Sequence, residues 1–413
     1  MGGTLAHARR VAMVERAFRS LPERYLGADP GFAATYHVRL GDVGQTWEVR
    51  CTQHTARVHR GAVSRRPDVV IGTDVETWLA LREGELSGIQ AFSERRLYAR
   101  GELDLAVAFE GLFRLAEDRP PLLRMRALEL PSARVSTLTM GEGPDVLLLH
   151  GLGGAKSSFF DAGAALSGQF RVHALDLPGF GSSSKPLRAP YTARWFADAV
   201  LEAMDALGLE RAHIAGNSMG GRVALEVGLR APHRVGGLAL LCPAVAFIKR
   251  AYHPIVRLLR PELGVLPHRF TRGIVEAQFW SLFANSDPID PEIADIVIDE
   301  FQRIYASAGA RRAFLSAARN LYLDAPYGPR GFYPRLSGLR PPALFVWGTH
   351  DPLIPPAFAR HVQQWLPSAE QLILEDCGHV PQVERGAQTA GVLRRFFSQA
   401  GALGAVPGEM RAA

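Results

Sequence analysis

One pentapeptide near the middle of the chain, Gly216-Asn217-Ser218-Met219-Gly220, limits the folds that are open to this sequence. A short apolar run, residues 213–215, precedes it, and a helix-like stretch, residues 222–229, follows it. Small residues are needed on both sides of a serine whose backbone turns so sharply that a nearby Cβ would clash. The pattern predicts a strained strand–turn–helix connection that points the Ser218 hydroxyl out of a sheet, beside the free N–H groups of a helix.

A serine is a weak nucleophile unless a base and an orienting acid assist it. Candidates follow in the order that such a turn predicts: first Asp351 and then His379. Each of them comes just after an apolar, strand-like run, residues 343–347 and 372–374 respectively. Because functional side chains collect at the carboxyl ends of parallel strands, we expect Ser218, His379 and Asp351 to act as nucleophile, base and acid.

An oxyanion site is predicted in the glycine-rich segment His150-Gly151-Leu152-Gly153-Gly154, which follows the strand-like residues 146–149. Its glycines allow backbone N–H groups to approach a substrate closely. We expect the amides of Leu152 and Met219 to be the two donors. His150 is interpreted as a residue that holds this loop.

The charge pattern disfavours a nucleic-acid partner. The chain of 413 residues has a formal net charge of +6, but its arginines are scattered and interleaved with acidic residues. Weak contact with an anionic membrane surface remains open. The three cysteines, Cys51, Cys242 and Cys377, show no disulfide or metal-site spacing, and residues 1–20 lack an apolar segment. We therefore expect a cytoplasmic protein, in which Cys377 is a packing residue rather than a second nucleophile.

Residues 1–118 are predicted to form a small α+β domain. Helical spacing covers residues 11–19 and 103–115, and Thr73-Asp74-Val75-Glu76 has the spacing of a capping box. Strand-like runs, several with alternating apolar and polar residues, lie at 34–40, 46–51, 55–60, 68–71 and 96–101. The proline-containing residues 119–133 are interpreted as a linker.

Residues 134–400 are predicted to form a larger α/β domain. Short apolar runs that alternate with helix-like segments indicate buried parallel strands at 146–149, 172–175, 213–215, 238–241, 344–347 and 372–374. The alternation stops between about residues 243 and 341, which we interpret as a helical cap over the site. Residues 401–413 are expected to be a flexible tail.

The larger domain resembles an α/β-hydrolase of the esterase, lipase and C–C hydrolase group. The resemblance rests on residues 150–154, 176–183, 216–220, 348–351 and 378–379, which match the family motifs in order. It implies the same triad, and it implies that Asp176, a rival acid, braces a loop. The family chemistry implies no metal and no organic cofactor.

One departure from a subgroup concerns the residue after the proposed base. Residues 217–221 resemble hydrolases of meta-cleavage products, which usually carry Trp directly after the catalytic histidine, whereas this chain has Val380. C–C bond hydrolysis is therefore kept as an alternative to ester or thioester hydrolysis. Acyl transfer and a lipid-binding module with a vestigial hydrolase fold also remain open.

Residues 11–117 resemble the sterol carrier protein 2 family. The resemblance rests on the three-strand pattern, on residues 73–81 and 84–86, and on residues 91–101. It implies a five-stranded sheet and an apolar tunnel for a lipid. The tunnel candidates are Trp78, Phe92, Phe109 and Phe113.

The preferred reading is therefore a serine hydrolase that cleaves a hydrophobic, lipid-like ester or thioester, with a small domain that binds or delivers lipid. The aromatic and apolar candidates for the substrate pocket are Phe247, Phe279, Trp280 and Val380. The sequence leaves the acyl chain length, the leaving group and the oligomeric state undetermined.

Overall fold

The computed structural model describes residues 2–246, 260–265, 271–284, 289 and 291–404. The chain divides into two compact units. Unit 1 contains Met1–Arg126 and Leu138–Met140, and unit 2 contains Ala127–Thr137 and Gly141–Ala413.

Unit 1 is built on a five-stranded sheet with the strand order β3-β2-β1-β4-β5. Its strands are β1 (Ala33–Leu40), β2 (Gln45–Thr52), β3 (Ala56–Arg60), β4 (Val69–Thr73) and β5 (Leu97–Gly101). Its helices are α1 (Gly2–Arg19), α2 (Leu21–Arg24), α3 (Val75–Glu83), α4 (Gly88–Ser93) and α5 (Leu103–Gly111). The pairing of β1 with β4 is parallel, and the other pairings are antiparallel. The five strands that were predicted are confirmed.

A stack of aromatic rings fills the core of unit 1. Phe18 of α1 lies between Trp47 and Trp78, with ring centroids 4.7 Å and 4.5 Å away and nearly parallel planes. Phe109 packs against Trp78 and, at 5.2 Å, against Phe113. Three of the four tunnel candidates are thus buried against one another or against Phe18.

Phe92, the fourth tunnel candidate, lies in α4 and is only partly buried. Whether any of the four contacts a lipid stays a prediction.

The predicted capping box at the start of α3 is wrong in its details. Asp74, not Thr73, is the N-cap residue, and its carboxylate accepts a hydrogen bond from the Thr77 N–H at 2.7 Å. The Thr73 hydroxyl instead donates to the carbonyl of Arg96 at 2.8 Å. A strand partner competes for Thr73 because β4 extends to this residue, and the sequence pattern alone does not reveal that competition.

The second sheet has eight strands in the order β13-β12-β11-β10-β8-β9-β7-β6. The six strands that were predicted are confirmed as a parallel set: β8 (Asp145–Leu149), β9 (Arg171–Leu175), β10 (Ala212–Asn217), β11 (Val235–Leu241), β12 (Ala343–Gly348) and β13 (Glu370–Leu374). The central strands β10, β11 and β12 are buried along their whole length, which explains their continuous apolar character.

Two strands at one edge of this sheet were not predicted. They are β6 (Leu123–Glu129) and β7 (Arg134–Met140). Strand β6 lies inside the segment that was interpreted as a linker, so residues 119–133 are not all a linker. Half-buried edge strands such as β6 carry mixed polar and apolar residues, which gave them no strong apolar run in the sequence.

The helices of unit 2 alternate with the strands except between β11 and β12, where several helices follow one another. They are α6 (Phe160–Leu166), α7 (Ala193–Ala206), α8 (Met219–Arg230), α9 (Arg272–Trp280), α10 (Pro291–Tyr305), α11 (Ala308–Leu323), α12 (Phe332–Leu336), α13 (Phe358–Trp365), α14 (Pro381–Glu384) and α15 (Gly386–Gly404). The described residues between 243 and 341 form helices and loops and contain no strand, in agreement with the predicted interruption of the alternation. Among the described helices, none is both long and apolar enough to cross a membrane.

His213 on β10 is a buried titratable group in the strand that leads to Ser218. Its ring stacks on Phe397 at 4.8 Å and packs edge-on against Phe170 at 6.3 Å. Its Nδ1 is buried and has no hydrogen-bond partner among the residues that the structure describes. Burial is the main cause that lowers the pKa of His213 to about 4, and the nearby Arg211 charge is a smaller one.

We expect His213 to make unit 2 sensitive to acid. The pKa of His213 in the folded state lies below its unfolded value. Its contribution to the free energy of unfolding is therefore complete above pH ~6.5 and is lost as the pH falls toward the folded pKa. The loss should reach about 3 kcal/mol of unfolding free energy. The measurement is the urea unfolding free energy from pH 4 to 8 for the parent chain and His213→Gln, which should lose less stability between pH 7 and 4.5. His233→Gln, at an exposed position, is the control, and equal slopes for all three chains would contradict the expectation.

Candidate active site

Ser218 occupies the tight turn between β10 and α8. Its backbone has φ 51° and ψ −113°, a conformation that L residues rarely adopt. The Ser218 N–H donates to the carbonyl of Leu241, and the Ser218 carbonyl accepts from Ala244 N–H, both at 2.9 Å. Ser218 is partly exposed, whereas Asn217 and Met219 on either side are buried. The neighbouring segments therefore hold the Ser218 backbone in a strained conformation and leave its side chain accessible.

Three glycines around Ser218 have no room for a side chain. A Cβ on Gly216 would clash with the backbone of Gly220, and one on Gly220 would clash with the carbonyl oxygen of Leu149. A Cβ on Gly221 would lie 2.9 Å from Pro243. Close packing of the turn against its neighbours therefore demands glycine at all three positions.

His379 and Asp351 lie next to each other at the carboxyl ends of their strands. His379 follows β13 and Asp351 follows β12, and both are 4% exposed. His379 Nδ1 and Asp351 Oδ2 are 2.8 Å apart, which is a hydrogen bond. The other carboxylate oxygen of Asp351 accepts from the N–H groups of Leu353 and Ile354, each at 2.8 Å. Asp351 is thus fixed in orientation, and it fixes the imidazole in turn.

Asn217 connects the histidine loop, residues 375–380, to the turn that carries Ser218. Its Nδ2 donates to the carbonyl of His379 at 2.9 Å and to that of Leu241 at 3.1 Å. In the sequence, Asn217 is only the variable position of the pentapeptide. No local signal in the sequence identifies this role, because the burial of Asn217 and its partner 162 residues away are visible only in the structure.

Cys242 lies beside the His379–Asp351 pair. One ligand atom from each of Cys242, Asp351 and His379 falls within 4.8 Å of the others, so these groups could in principle surround a metal ion. Burial raises the pKa of the Cys242 thiol well above its usual value, and a metal binds the thiolate rather than the thiol. The facing atoms of His379 and Asp351 are already joined by their hydrogen bond. The arrangement therefore favours an imidazole–carboxylate pair over a metal centre.

His150 holds the glycine-rich loop after β8, as predicted. Its Nε2 accepts a hydrogen bond from the Leu177 N–H at 3.0 Å, which leaves Nδ1 to donate to the Gly151 carbonyl at 2.7 Å. Burial lowers the pKa of His150, which favours this neutral form. A Cβ on Gly151 would lie 3.3 Å from Ser218 Cβ, so this loop adjoins the serine. Leu152, a predicted oxyanion donor, is partly buried in this loop.

Asp176 is paired with Lys156 rather than with His379. Both side chains are fully buried, and Lys156 Nζ lies 2.7 Å from Asp176 Oδ2. Asp176 also accepts from the Lys156 N–H at 2.7 Å and the Ser182 N–H at 2.9 Å. Burial alone would raise the pKa of Asp176, but the Lys156 charge and these hydrogen bonds outweigh it and lower the pKa. Asp176 therefore braces the loop after β9, which leaves Asp351 as the partner of the histidine.

Arg222, one turn into α8, lies in a buried ionic cluster. It forms ion pairs with Glu226 and Asp324, and its guanidinium lies 3.9 Å from the ring centre of Phe332. Arg335 pairs with the same Glu226. These contacts indicate a packing role for Arg222 rather than contact with a substrate carboxylate.

Three of the four predicted pocket residues lie in one apolar cluster. Phe279, Trp280 and Val380 are partly buried and pack around Phe283 and its buried neighbours. Val380 directly follows His379, so this cluster adjoins the histidine loop. Phe247 lies outside the described residues. Whether these side chains contact a substrate stays a prediction.

Two family models match the chain, one in each predicted domain. Residues 144–386 match the alpha/beta hydrolase fold. Residues 27–114 match the SCP-2 sterol transfer family. The first match covers more than half of the chain and contains Ser218, Asp351 and His379.

Relatives with different names share the larger region. The chain is 33% identical over 256 residues to a dihydrolipoyllysine-residue acetyltransferase component of an acetoin cleaving system from Pseudomonas putida, covering 62% of this chain and 64% of that protein. It is 30% identical over 280 residues to a 2-hydroxymuconate semialdehyde hydrolase from Pseudomonas putida, covering 65% of this chain and 92% of that protein. A crystal structure of a membrane phospholipase A, described as a bacterial virulence factor, is similar with a TM-score of 0.58 and 27% identity, covering 68% of this chain and 87% of that chain.

Proposed function

Because the chain belongs to the alpha/beta hydrolase fold family, we propose that it is a serine hydrolase in which Ser218, His379 and Asp351 form a catalytic triad. The observation that carries the proposal is the partly exposed Ser218 on a strained turn whose neighbour, Asn217, is bonded to the carbonyl of His379. The imidazole is in turn held by Asp351 at 2.8 Å.

In this mechanism Ser218 attacks the acyl carbonyl while His379 removes its proton. Asp351 accepts the hydrogen bond from Nδ1, keeps the imidazole in the tautomer whose Nε2 can accept a proton, and stabilises the imidazolium. The amides of Leu152 and Met219 would bind the oxyanion, and losing one such donor typically costs ~3 kcal/mol in the barrier. His379 then protonates the leaving group, and water hydrolyses the acyl-enzyme. The chemistry requires no cofactor.

We propose a hydrophobic, lipid-like ester or thioester as the substrate. The apolar cluster of Phe279, Trp280 and Val380 beside the histidine loop supports an apolar acyl group. The phospholipase named among the similar structures and the SCP-2 sterol transfer match at residues 27–114 point in the same direction. The end of the small domain at about residue 118, and a cytoplasmic location supported by three free cysteines, belong to this proposal.

The role proposed for residues 1–118 is to bind or deliver the lipid. A covalent tether raises the effective concentration of a bound lipid near the catalytic residues to the order of millimolar when the connection is short and flexible. No direct contact between the units is needed for this effect.

The test is hydrolysis of p-nitrophenyl esters with acyl chains from C2 to C16. We expect kcat/KM to rise at least ~10-fold from C2 to C8 or longer, because each buried CH₂ contributes about 0.8 kcal/mol. A chain that lacks residues 1–118 but keeps β6 should lose activity selectively on the longest esters.

Three results would count against these assignments. A maximum at C2 would contradict the hydrophobic acyl group. Unchanged turnover of long esters by a truncated chain that stays folded would contradict lipid delivery. No ester hydrolysis by a chain whose serine still reacts with a phosphonate would direct attention to thioesters or acyl transfer.

Hydrolysis of a C–C bond is a second candidate. The relative that supports it is the 2-hydroxymuconate semialdehyde hydrolase, which is matched over 92% of its length. A chromogenic dienoate substrate distinguishes C–C hydrolysis from ester hydrolysis, because only a C–C hydrolase would cleave it and lower its absorbance.

A further inference from the structure

Glu384 is a buried carboxylate close to His379 in sequence and in space, and the triad does not use it. It lies at the end of α14 and is 6% exposed. Its Oε2 accepts a hydrogen bond from the N–H of Gly378, the residue before His379, at 2.6 Å. Its Oε1 accepts from the N–H of Ala284, after α9, at 2.9 Å.

A second contact joins the same two segments. The N–H of His379 donates to the carbonyl of Leu282 at 2.7 Å. A Cβ on Gly378 would clash with that carbonyl and would lie 2.8 Å from Ala284 N. The histidine loop therefore packs directly on the backbone of residues 282–284.

This arrangement places two backbone N–H groups on one carboxylate. Hydrogen bonds to a charged acceptor are shorter and stronger than neutral ones, so Glu384 can hold both segments at once. Removing it would leave the buried N–H of Gly378 and the partly buried N–H of Ala284 without this partner, and the loop would have to move to satisfy them.

We propose that Glu384 is a positioning residue. It fixes the position of the His379 backbone because its two hydrogen bonds join the histidine loop to residues 282–284. The inference rests on the proposed function, since it concerns the base of that triad. It assigns proton transfer, rather than substrate binding, as the step that depends on Glu384. The Ser218 turn also holds this loop, through the hydrogen bond from Asn217 to the His379 carbonyl.

The test compares Glu384→Ala and Glu384→Gln with the parent chain. A displacement of about 1 Å at a catalytic group can cost on the order of 100-fold in rate, so we expect Glu384→Ala to lower kcat by ~100-fold with KM changed less than ~3-fold. Glu384→Gln keeps an oxygen for one of the two N–H groups and should lose only ~10-fold. The rate of Ser218 modification by a small fluorophosphonate should fall in parallel with kcat, because that reaction also needs the base.

Thr389→Val is the matched control. The Thr389 hydroxyl is buried and donates to the carbonyl of Pro381 at 2.8 Å, so this change also removes a bond to α14 but none to the histidine loop. It should cost stability and leave kcat within ~2-fold of the parent. If both Glu384 variants react with the phosphonate at the parent rate, or if only KM changes, the inference is wrong. If the parent chain itself does not react, the proposed function fails instead.

Discussion

Replacing Ser218 with alanine is expected to lower kcat/KM for a p-nitrophenyl ester by a factor on the order of 10⁵ to 10⁶. The change removes only the hydroxyl, so the turn, the oxyanion donors and the His379–Asp351 pair should stay in place. The covalent path is then closed, and only binding and oxyanion stabilisation remain. The measurement is steady-state hydrolysis by the two purified chains, together with labelling by a fluorophosphonate, which should disappear in the variant.

The control for this experiment is Ser337→Ala at an exposed position, which should keep full activity and labelling. An activity above about 1% of the parent, with an unfolding transition that matches it, would show that another group is the nucleophile. Cys377 would then be examined next, although burial raises the pKa of its thiol to about 12, which makes it a poor nucleophile.

Replacing Asp351 with asparagine is expected to reduce kcat by about 10⁴-fold near neutral pH. One side-chain oxygen of Asp351 accepts two backbone N–H groups, from Leu353 and Ile354, and the other faces His379. The single oxygen of asparagine will stay with the two backbone donors, so its NH₂ group will face Nδ1 and donate to it. Nε2 then carries the imidazole proton and cannot accept the proton of Ser218.

The measurement is kcat from pH 5 to 10 for the parent and Asp351→Asn, with urea unfolding to show that the fold survives. Asp376→Asn is the matched control, because Asp376 is exposed, lies near the same loop, and has a φ of 48° that asparagine tolerates well. A loss of less than 10-fold in Asp351→Asn would mean that another group orients the base. The fully buried Asp176 is not available for that role, because Lys156 and the loop amides occupy it.

The parts of the structure that sequence could predict are those with strong local signals. Strands β10, β11 and β12 are buried on both faces, so each is an apolar run that stands out in the sequence. The turn at Ser218 could be predicted because it needs glycines at positions where a Cβ would clash. The edge strand β6 has no such signature, because most of its residues are only partly buried, and the neighbouring β7 alternates polar and apolar residues without a continuous apolar run.

The contacts that the sequence did not reveal connect residues far apart in the chain. Asn217 donates to a carbonyl 162 residues away, and Glu384 accepts from an amide 100 residues away. No local pattern marks either partnership, since any polar residue beside a motif is compatible with the sequence signal. The aromatic residues of unit 1 were chosen by residue type as tunnel candidates, but the insertion of Phe18 between Trp47 and Trp78 depends on how α1 packs.

The three crowded glycines around Ser218 separate two kinds of change during evolution. A single base substitution can replace the serine and end its chemistry without disturbing the fold, because its side chain is partly exposed. A substitution at Gly216, Gly220 or Gly221 instead collides with backbone or proline atoms. A descendant that has lost catalysis is therefore expected to keep the glycines long after it has lost the hydroxyl. In such a sequence the glycines indicate the fold, and only the serine indicates activity.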